Sequence, residues 1–351
     1  MASAALQDDY LTTMPYRFKH SEKVAKGFRR IAGEQVARAL QELTADAVAP
    51  SSVHNSRKAL KRLRALVRCA APALGKGIAR KHNLALRDIA RLLSSQRDLD
   101  VSLETIAKLN VHFGSEAAAC LAPLRAHIES RAANHAEALD ADAVRAIRMA
   151  LSKEGRRLAT ARISGRGYTK IIDGVEKTYR GGRAALKTAI GNPTDDTVHE
   201  LRKHVQAHWR HMGLLSRCWP EEFAARISAA RELSELLGDD HDLALLSQAC
   251  ANLSESDAQP IRELCARRQM QLRGGALAAA GRLYAEKPAA FAARISTYWT
   301  QGRKIARAAK AAAVLSASLP AAGPSGPVIA TGSPQPVAAK PPAKVRSQNQ
   351  T

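Results

Sequence analysis

Aromatic residues are scarce in this chain: Phe, Trp and Tyr together make up 4% of it. Strands favour aromatic and β-branched side chains, so this shortage, beside plentiful alanine and leucine, points to packed helices rather than sheets. Cysteine is sparse too. Cys69, Cys120, Cys218, Cys250 and Cys265 form no CxxC pair and their number is odd, so they read as buried reduced thiols and not as a disulfide framework. No run of about eighteen apolar residues exists, so no membrane span is expected. The start "MASAALQDDYLTTMPYRF" has no basic segment followed by an apolar one, and no secretory signal is read there. The expectation is a cytoplasmic protein.

Acidic residues are the last shortage. There are 32 Asp and Glu against 54 Lys and Arg, which leaves a formal net charge of +22 over 351 residues. A chain so charged repels itself unless it meets a polyanion: nucleic acid, anionic lipid or polyphosphate. Charge alone does not choose among them.

From about residue 20 to 310, apolar residues recur at three- and four-residue steps, with short breaks carrying Pro, Gly or Asn. The pattern predicts helices over 20–43, 52–71, 76–93, 98–110, 116–150, 166–190, 195–217, 222–237, 241–252, 257–286 and 289–311. The fold class is all-α. Asp98, Asp100, Asp239, Asp240 and Asp242 stand where helices are expected to begin, so capping is preferred to carboxylate catalysis or Mg²⁺ binding. After Leu319 the chain turns to Pro, Ala, Gly and Ser, which cannot bury a core, and residues 313–351 read as a disordered tail.

An internal repeat runs through the helical part. "VHNSRKALKRLRALVRCA" at 53 returns as "VHELRKHVQAHWRHMGLL" at 198, and "LRDIARLLSSQRDLD" at 86 as "ARELSELLGDDHDLA" at 230. Two landmarks thus recur at one period of 144 or 145 residues. Two fused copies of one helical unit are expected, joined near residues 150–166.

On a helical projection, His54, Arg57, Lys58, Lys61 and Arg68 fall within an arc of roughly 100°, flanked by Arg62 and Arg64. Val53, Leu60, Leu63 and Val67 fall on the other side, where they can pack. Like charges three and four apart repel, and no acidic residue lies between 53 and 68 to relieve them. Such a face suits an external anion. In the second copy His199, Arg202, Lys203, Arg210 and Arg217 take the corresponding arc, with Gln206 in place of Lys61. Two such helices facing each other would form a groove or channel with cations on both walls. Lys23, Lys26, Arg29, Arg30, Arg87, Arg180, Arg183 and Arg231 are further candidates for the same lining.

Other chemistry fares less well. His204, His208 and His211 have metal-ligand spacing on a helix, but they point toward the packing side and no HExxH motif accompanies them, so core histidines are preferred to a metal site. There is no Walker A loop, no GxGxxG and no GxSxG, and no nucleophile–base constellation. Neither a cofactor nor an enzymatic activity is expected. Aromatics for base stacking are too few for sequence-specific nucleic-acid binding, while non-specific binding stays open.

The two V-H-x-x-R-K stretches, "LLSSQRDLDV", "LLGDDHDLALL" and "HELRKHVQAHWRHMGLLSRCWP" resemble the CHAD family of histidine-containing α-helical domains. The resemblance covers about 20–311. It implies two pseudo-symmetric four-helix bundles enclosing a basic groove or pore that binds inorganic polyphosphate, with association to polyphosphate granules. The helical domain would span 15–312, its copies about 15–150 and 165–312. The implied ligand contacts are His54, Arg57, Lys58, Lys61, Arg62 and Arg64 in the first copy and His199, Arg202 and Lys203 in the second. The family often has lysine at the place of Gln206 and tyrosine at that of Arg210, so the second wall departs from its pattern. A metal-dependent enzyme acting on polyphosphate or phosphate esters, and a non-specific nucleic-acid binder, are the alternatives.

Overall fold

The computed structural model describes residues 16–44, 48–93, 97–134, 141–164 and 167–318. Among them the regular elements are all helices: α1 (Val24–Glu42), α2 (Pro50–Cys69), α3 (Ala71–Leu74), α4 (Lys76–Leu92), α5 (Arg97–Phe113), α6 (Ser115–Asn134), α7 (Ala141–Ala159), α8 (Gly167–Gly191), α9 (Asp195–Leu215), α10 (Pro220–Ala249), α11 (Glu255–Leu283) and α12 (Pro288–Ser318). Two short 3₁₀ turns follow α9 and α10. The all-α expectation holds, in keeping with few aromatics beside plentiful alanine and leucine.

Helices α1, α2, α4 and α7 contact one another in a closed cycle, and α8, α9, α10 and α11 form a second. The two cycles meet where α2 packs on α9 and on α8. A continuous apolar core runs through both, from Tyr16 to Trp299. Val53, Leu60, Leu63 and Val67, the apolar side of the first basic stripe, all lie in it. At about 1.5–3 kcal/mol per fully buried aliphatic side chain, these residues fix which way α2 turns its cations. A second, smaller core joins α5 and α6 to α10 and α11 through Ile106, Leu121, Leu246 and Leu264. The few aromatics are concentrated: Tyr179, Tyr284 and Phe291 pack together around His208.

Three boundaries differ from the sequence reading. The segments expected as separate helices over 222–237 and 241–252 are one helix, α10. Asp239 and Asp240 do not cap a helix start there; they bond sideways, Asp239 to Lys108 at 2.6 Å and Asp240 to Arg273 Nε at 2.6 Å. Asp242 is likewise inside α10. The long helix expected over 116–150 is two, α6 and α7, with 135–140 outside the described residues. Helix α12 continues to Ser318, past its expected end at 311, and 319–351 lie outside the described residues. The side chain of Asp98 lies outside them too.

His208 and His211 are fully buried, as the packing side of α9 requires. His211 Nε2 donates to the Ala65 carbonyl at 2.9 Å, and burial pushes its protonation down to about 3. His208, buried among aromatic rings, is lowered well below its ordinary value for the same reason. The sign follows from linkage. Below about 6.5 the unfolded chain takes up protons that these folded rings refuse, so stability falls as pH falls. At pH 5 the loss from His211 alone is about 2 kcal/mol, and His208 adds to it in the same direction. Urea midpoints measured at pH 7 and pH 5 should drop accordingly, and His208→Phe, which suits an aromatic pocket, should reduce the drop.

Candidate functional site

The basic face of α2 meets that of α9 across a cavity of about 230 Å³. Its wall consists of Lys61, Arg64, Ala65 and Arg68 from α2 and His199, Lys203, Gln206, Ala207 and Arg210 from α9. Five Lys and Arg side chains and a histidine thus converge on one space, and no carboxylate belongs to its wall. Ala65 and Ala207 belong to the same wall, and larger residues there would narrow the groove.

The cations crowd one another. Burial, together with the charges of Arg68 and Arg87, lowers the Arg64 guanidinium from its ordinary value, and its buried Nε makes no hydrogen bond. Burial lowers Arg68 too, although nearby Glu200 opposes the shift. His199 is held below its ordinary value by burial and by the charges of Lys203 and Arg202, so it stands neutral at pH 7. The Arg64 and Arg68 directions both mark guanidinium groups that an anion in the groove would stabilise in their charged form. Arg210 is placed by its neighbours on α9, donating to the Gln206 carbonyl at 2.6 Å and lying 4.2 Å over the Trp209 ring.

Not every residue of the two stripes reaches this cavity. Arg57 donates to the carbonyls of Ala90 and Leu93, at 3.4 and 3.1 Å, and so ties the end of α4 to α2. Its counterpart Arg202 is turned toward α10, where Asp242, Asp239 and Asp240 offset its loss of solvent. Arg62 is buried, its guanidinium 5.8 Å from the Tyr16 ring, whose hydroxyl donates to the Arg62 carbonyl at 2.8 Å. His54 is half-buried, Lys58 is exposed and Arg217 is exposed, all outside the wall.

Three of the eight further candidates hold the scaffold. Arg29 donates to the Ala161 carbonyl at 3.2 and 3.0 Å, and Arg30 pairs with Glu22 and Glu34. Arg183 donates to the carbonyls of Tyr284, Ala285 and Glu286 at the end of α11. Arg180 pairs with Glu176, Lys26 and Arg231 are exposed, and Lys23 lines a different cavity. Arg87 pairs with Asp88 at 2.9 Å while its charge reaches Arg64.

One residue escaped the sequence reading. Glu200, exposed on α9, forms an ion pair with Lys203 and lies 3.4 Å from His204 Nε2. Its place three residues before Lys203 was the available signal. It makes the second wall less basic than the first, in the same sense as Gln206. Of the three histidines with metal-ligand spacing, two are core residues, and among the described residues no group of three or more His, Cys, Asp or Glu side chains is arranged to hold a metal ion. No helix among them is long and apolar enough to cross a membrane.

Comparison with known proteins bears on this arrangement. No curated protein matches the chain. Among solved structures, PptA from Streptomyces chartreusis is similar in fold, with a TM-score of 0.51 and 15% identity, over 75% of this chain and 98% of that one. The family model of the CHAD domain matches residues 30–251, which include α2, α9 and both walls of the groove. A match over more than half of the chain settles the family, and this protein belongs to the CHAD domain family.

Proposed function

We propose that the protein binds inorganic polyphosphate in the groove between α2 and α9. The observation that carries this reading is the convergence of Lys61, Arg64, Arg68, Lys203 and Arg210 on one cavity whose wall has no carboxylate. Polyphosphate presents about one negative charge per phosphorus and only oxygen acceptors. Arginine forks and lysine point charges match it without any aromatic platform. His199, neutral and half-buried, donates a single N–H to a phosphate oxygen, and its charged form would donate two. Membership of the CHAD family supports the same ligand.

The binding is read as non-enzymatic, since among the described residues the groove wall holds cations and one histidine but no carboxylate or nucleophile. Its place in the cell would be the cytoplasm, at polyphosphate granules. A competition measurement tests the reading: labelled long-chain polyphosphate is displaced at about 150 mM salt by unlabelled polyphosphate or by nucleic acid at equal charge. Polyphosphate should compete at least tenfold better than single- or double-stranded nucleic acid, because the groove offers no stacking surface. Equal competition would identify a general polyanion binder. Release of phosphate from long chains with Mg²⁺ or Mn²⁺ would identify an enzyme.

A further inference from the structure

Helix α4 carries a further row of cations beside the groove. Its buried residues are Ala79, His82, Leu86 and Ile89, and His82 Nδ1 lies 2.5 Å from Glu154 Oε1 on α7. These contacts fix the rotation of the helix. Placed at 100° per residue, Lys76, Arg80, Arg87 and Arg91 then fall within an arc of roughly 60° on its outer side. Lys76, Arg80 and Arg91 are exposed and Arg87 is half-buried. From Lys76 to Arg91 the row extends about 22 Å along the helix.

The row runs along the flank of α4 that adjoins α2. Arg57 of α2 donates to the carbonyls of Ala90 and Leu93, and Ala90 stands next to the row on the same projection. Lys81 and Leu92 fall on the opposite flank, beside α7. The row and the groove wall meet at one point: the charge of Arg87 acts on Arg64, which lines the groove. The outer surface of α2 therefore has the groove on one side and the α4 row on the other.

The scaffold leaves most of the row unused. The one carboxylate of α4, Asp88, pairs with Arg87 at 2.9 Å, and among the described residues no ion pair joins Lys76, Arg80 or Arg91. Lys76 and Arg80, and likewise Arg87 and Arg91, stand four residues apart, where like charges repel. One exposed cation is a solvated charge. A row of them that continues a groove already lined by five Lys and Arg side chains is a path for one linear anion. We propose that α4 is a second contact segment for the chain that the groove holds. A long polyphosphate leaves the groove past Arg64 and Arg87 and runs along α4, whereas a short one occupies the groove alone. The inference rests on the groove reading and adds to it a preference for long chains, because two linked contacts on one ligand act at a high effective concentration.

The test combines Lys76→Gln, Arg80→Gln and Arg91→Gln, which leaves Arg87 and the groove intact, and compares long-chain polyphosphate with tripolyphosphate between about 50 and 200 mM salt. Affinity for the long chain should fall about tenfold, and the slope of log affinity against log salt should shrink by about 2, at roughly 0.7 per phosphate contact. Affinity for tripolyphosphate should change by less than about twofold. If the triple variant does not fold, Arg80→Gln alone should weaken the long chain about twofold, again without effect on the short one. Arg125→Gln, Arg145→Gln and Arg267→Gln together remove the same charge from α6, α7 and α11 and should keep at least half of the long-chain affinity. An unchanged long-chain affinity in the α4 variant, an equal fall for tripolyphosphate, or an equal fall in the control would each overturn the proposal. If Arg64→Glu with Lys203→Glu still abolishes binding in that case, the groove stands and only the α4 segment falls. If that groove variant binds as the wild type does, both readings fall.

Discussion

Reversing Arg64 and Lys203 together to glutamate lowers polyphosphate affinity by on the order of 100-fold at about 100 mM salt, and it flattens the dependence of affinity on salt. The two residues stand on opposite walls of the groove, one on α2 and one on α9. Each reversal removes a cation and adds a repelling charge within reach of the same phosphates. Arg64 sits where Arg68 and Arg87 already crowd it, so an anion there relieves more repulsion than it would on an open surface. Lys203 is exposed, its ammonium pairs with Glu200, and the bond from Arg68 goes to its backbone carbonyl, so its side chain is tolerant of substitution. Circular dichroism and thermal unfolding should therefore change little while binding is lost. Arg125→Glu, on α6 outside the groove wall and paired with Glu129 on its own helix, is the matched control and should keep at least half of the affinity. Unchanged binding in the double reversal would mean that the groove is a solvated face.

The choice of residues for that test shows where the sequence was readable and where it was not. Helical periodicity, with Val53, Leu60, Leu63 and Val67 opposite the basic arc, correctly turned α2 in its bundle, because burial of those four decides the orientation. The repeat sets α2 beside α9 in expectation, and the two helices pack on each other. It could not say which arginines are consumed within the scaffold. Arg57 and Arg202 occupy the same repeat position and the same arc as the groove residues, yet both turn toward the neighbouring helix of their own cycle, to the α4 carbonyls and to the α10 aspartates. A guanidinium takes whichever acceptor is nearest, and that is set by tertiary contacts a helical wheel does not contain. Reversing Arg57 would thus break packing as well as charge, and a loss of binding there would not identify the groove. The same limit explains α10: Gly238, Asp239 and Asp240 look like a break, but Lys108 on α5 and Arg273 on α11, distant in sequence, hold the aspartates in mid-helix.

The largest effect on stability is expected from the smallest substitution, Gly174→Ala. Gly174 lies within α8 where that helix crosses the end of α2, and a Cβ there would stand 1.9 Å from the carbonyl oxygen of Cys69. The neighbour is backbone and cannot swing aside, and the Cys69 thiol already packs against the Ile171 carbonyl at 3.9 Å. The helices must separate by more than an ångström at the contact that joins the two cycles, in a core that extends without interruption across it. Overpacking of this kind costs about 3 kcal/mol, and the roughly 1 kcal/mol that alanine gains over glycine in a helix offsets only part of it. The net loss should lower Tm by roughly 5 °C. Gly274→Ala provides the contrast. Nothing lies within 4 Å of a Cβ on Gly274, which is exposed within α11, so there the helix preference acts alone. That variant should gain about 0.5–1 kcal/mol. Because Arg68 immediately precedes Cys69, Gly174→Ala should also disturb the end of the first wall, but by displacement and not by charge. Its binding defect should therefore keep the wild-type salt slope, whereas the Arg64 and Lys203 reversals reduce it. A Gly174→Ala protein as stable as the wild type would mean that α2 and α8 do not cross at this closeness, and the groove's geometry would then rest on the α2–α9 contact alone.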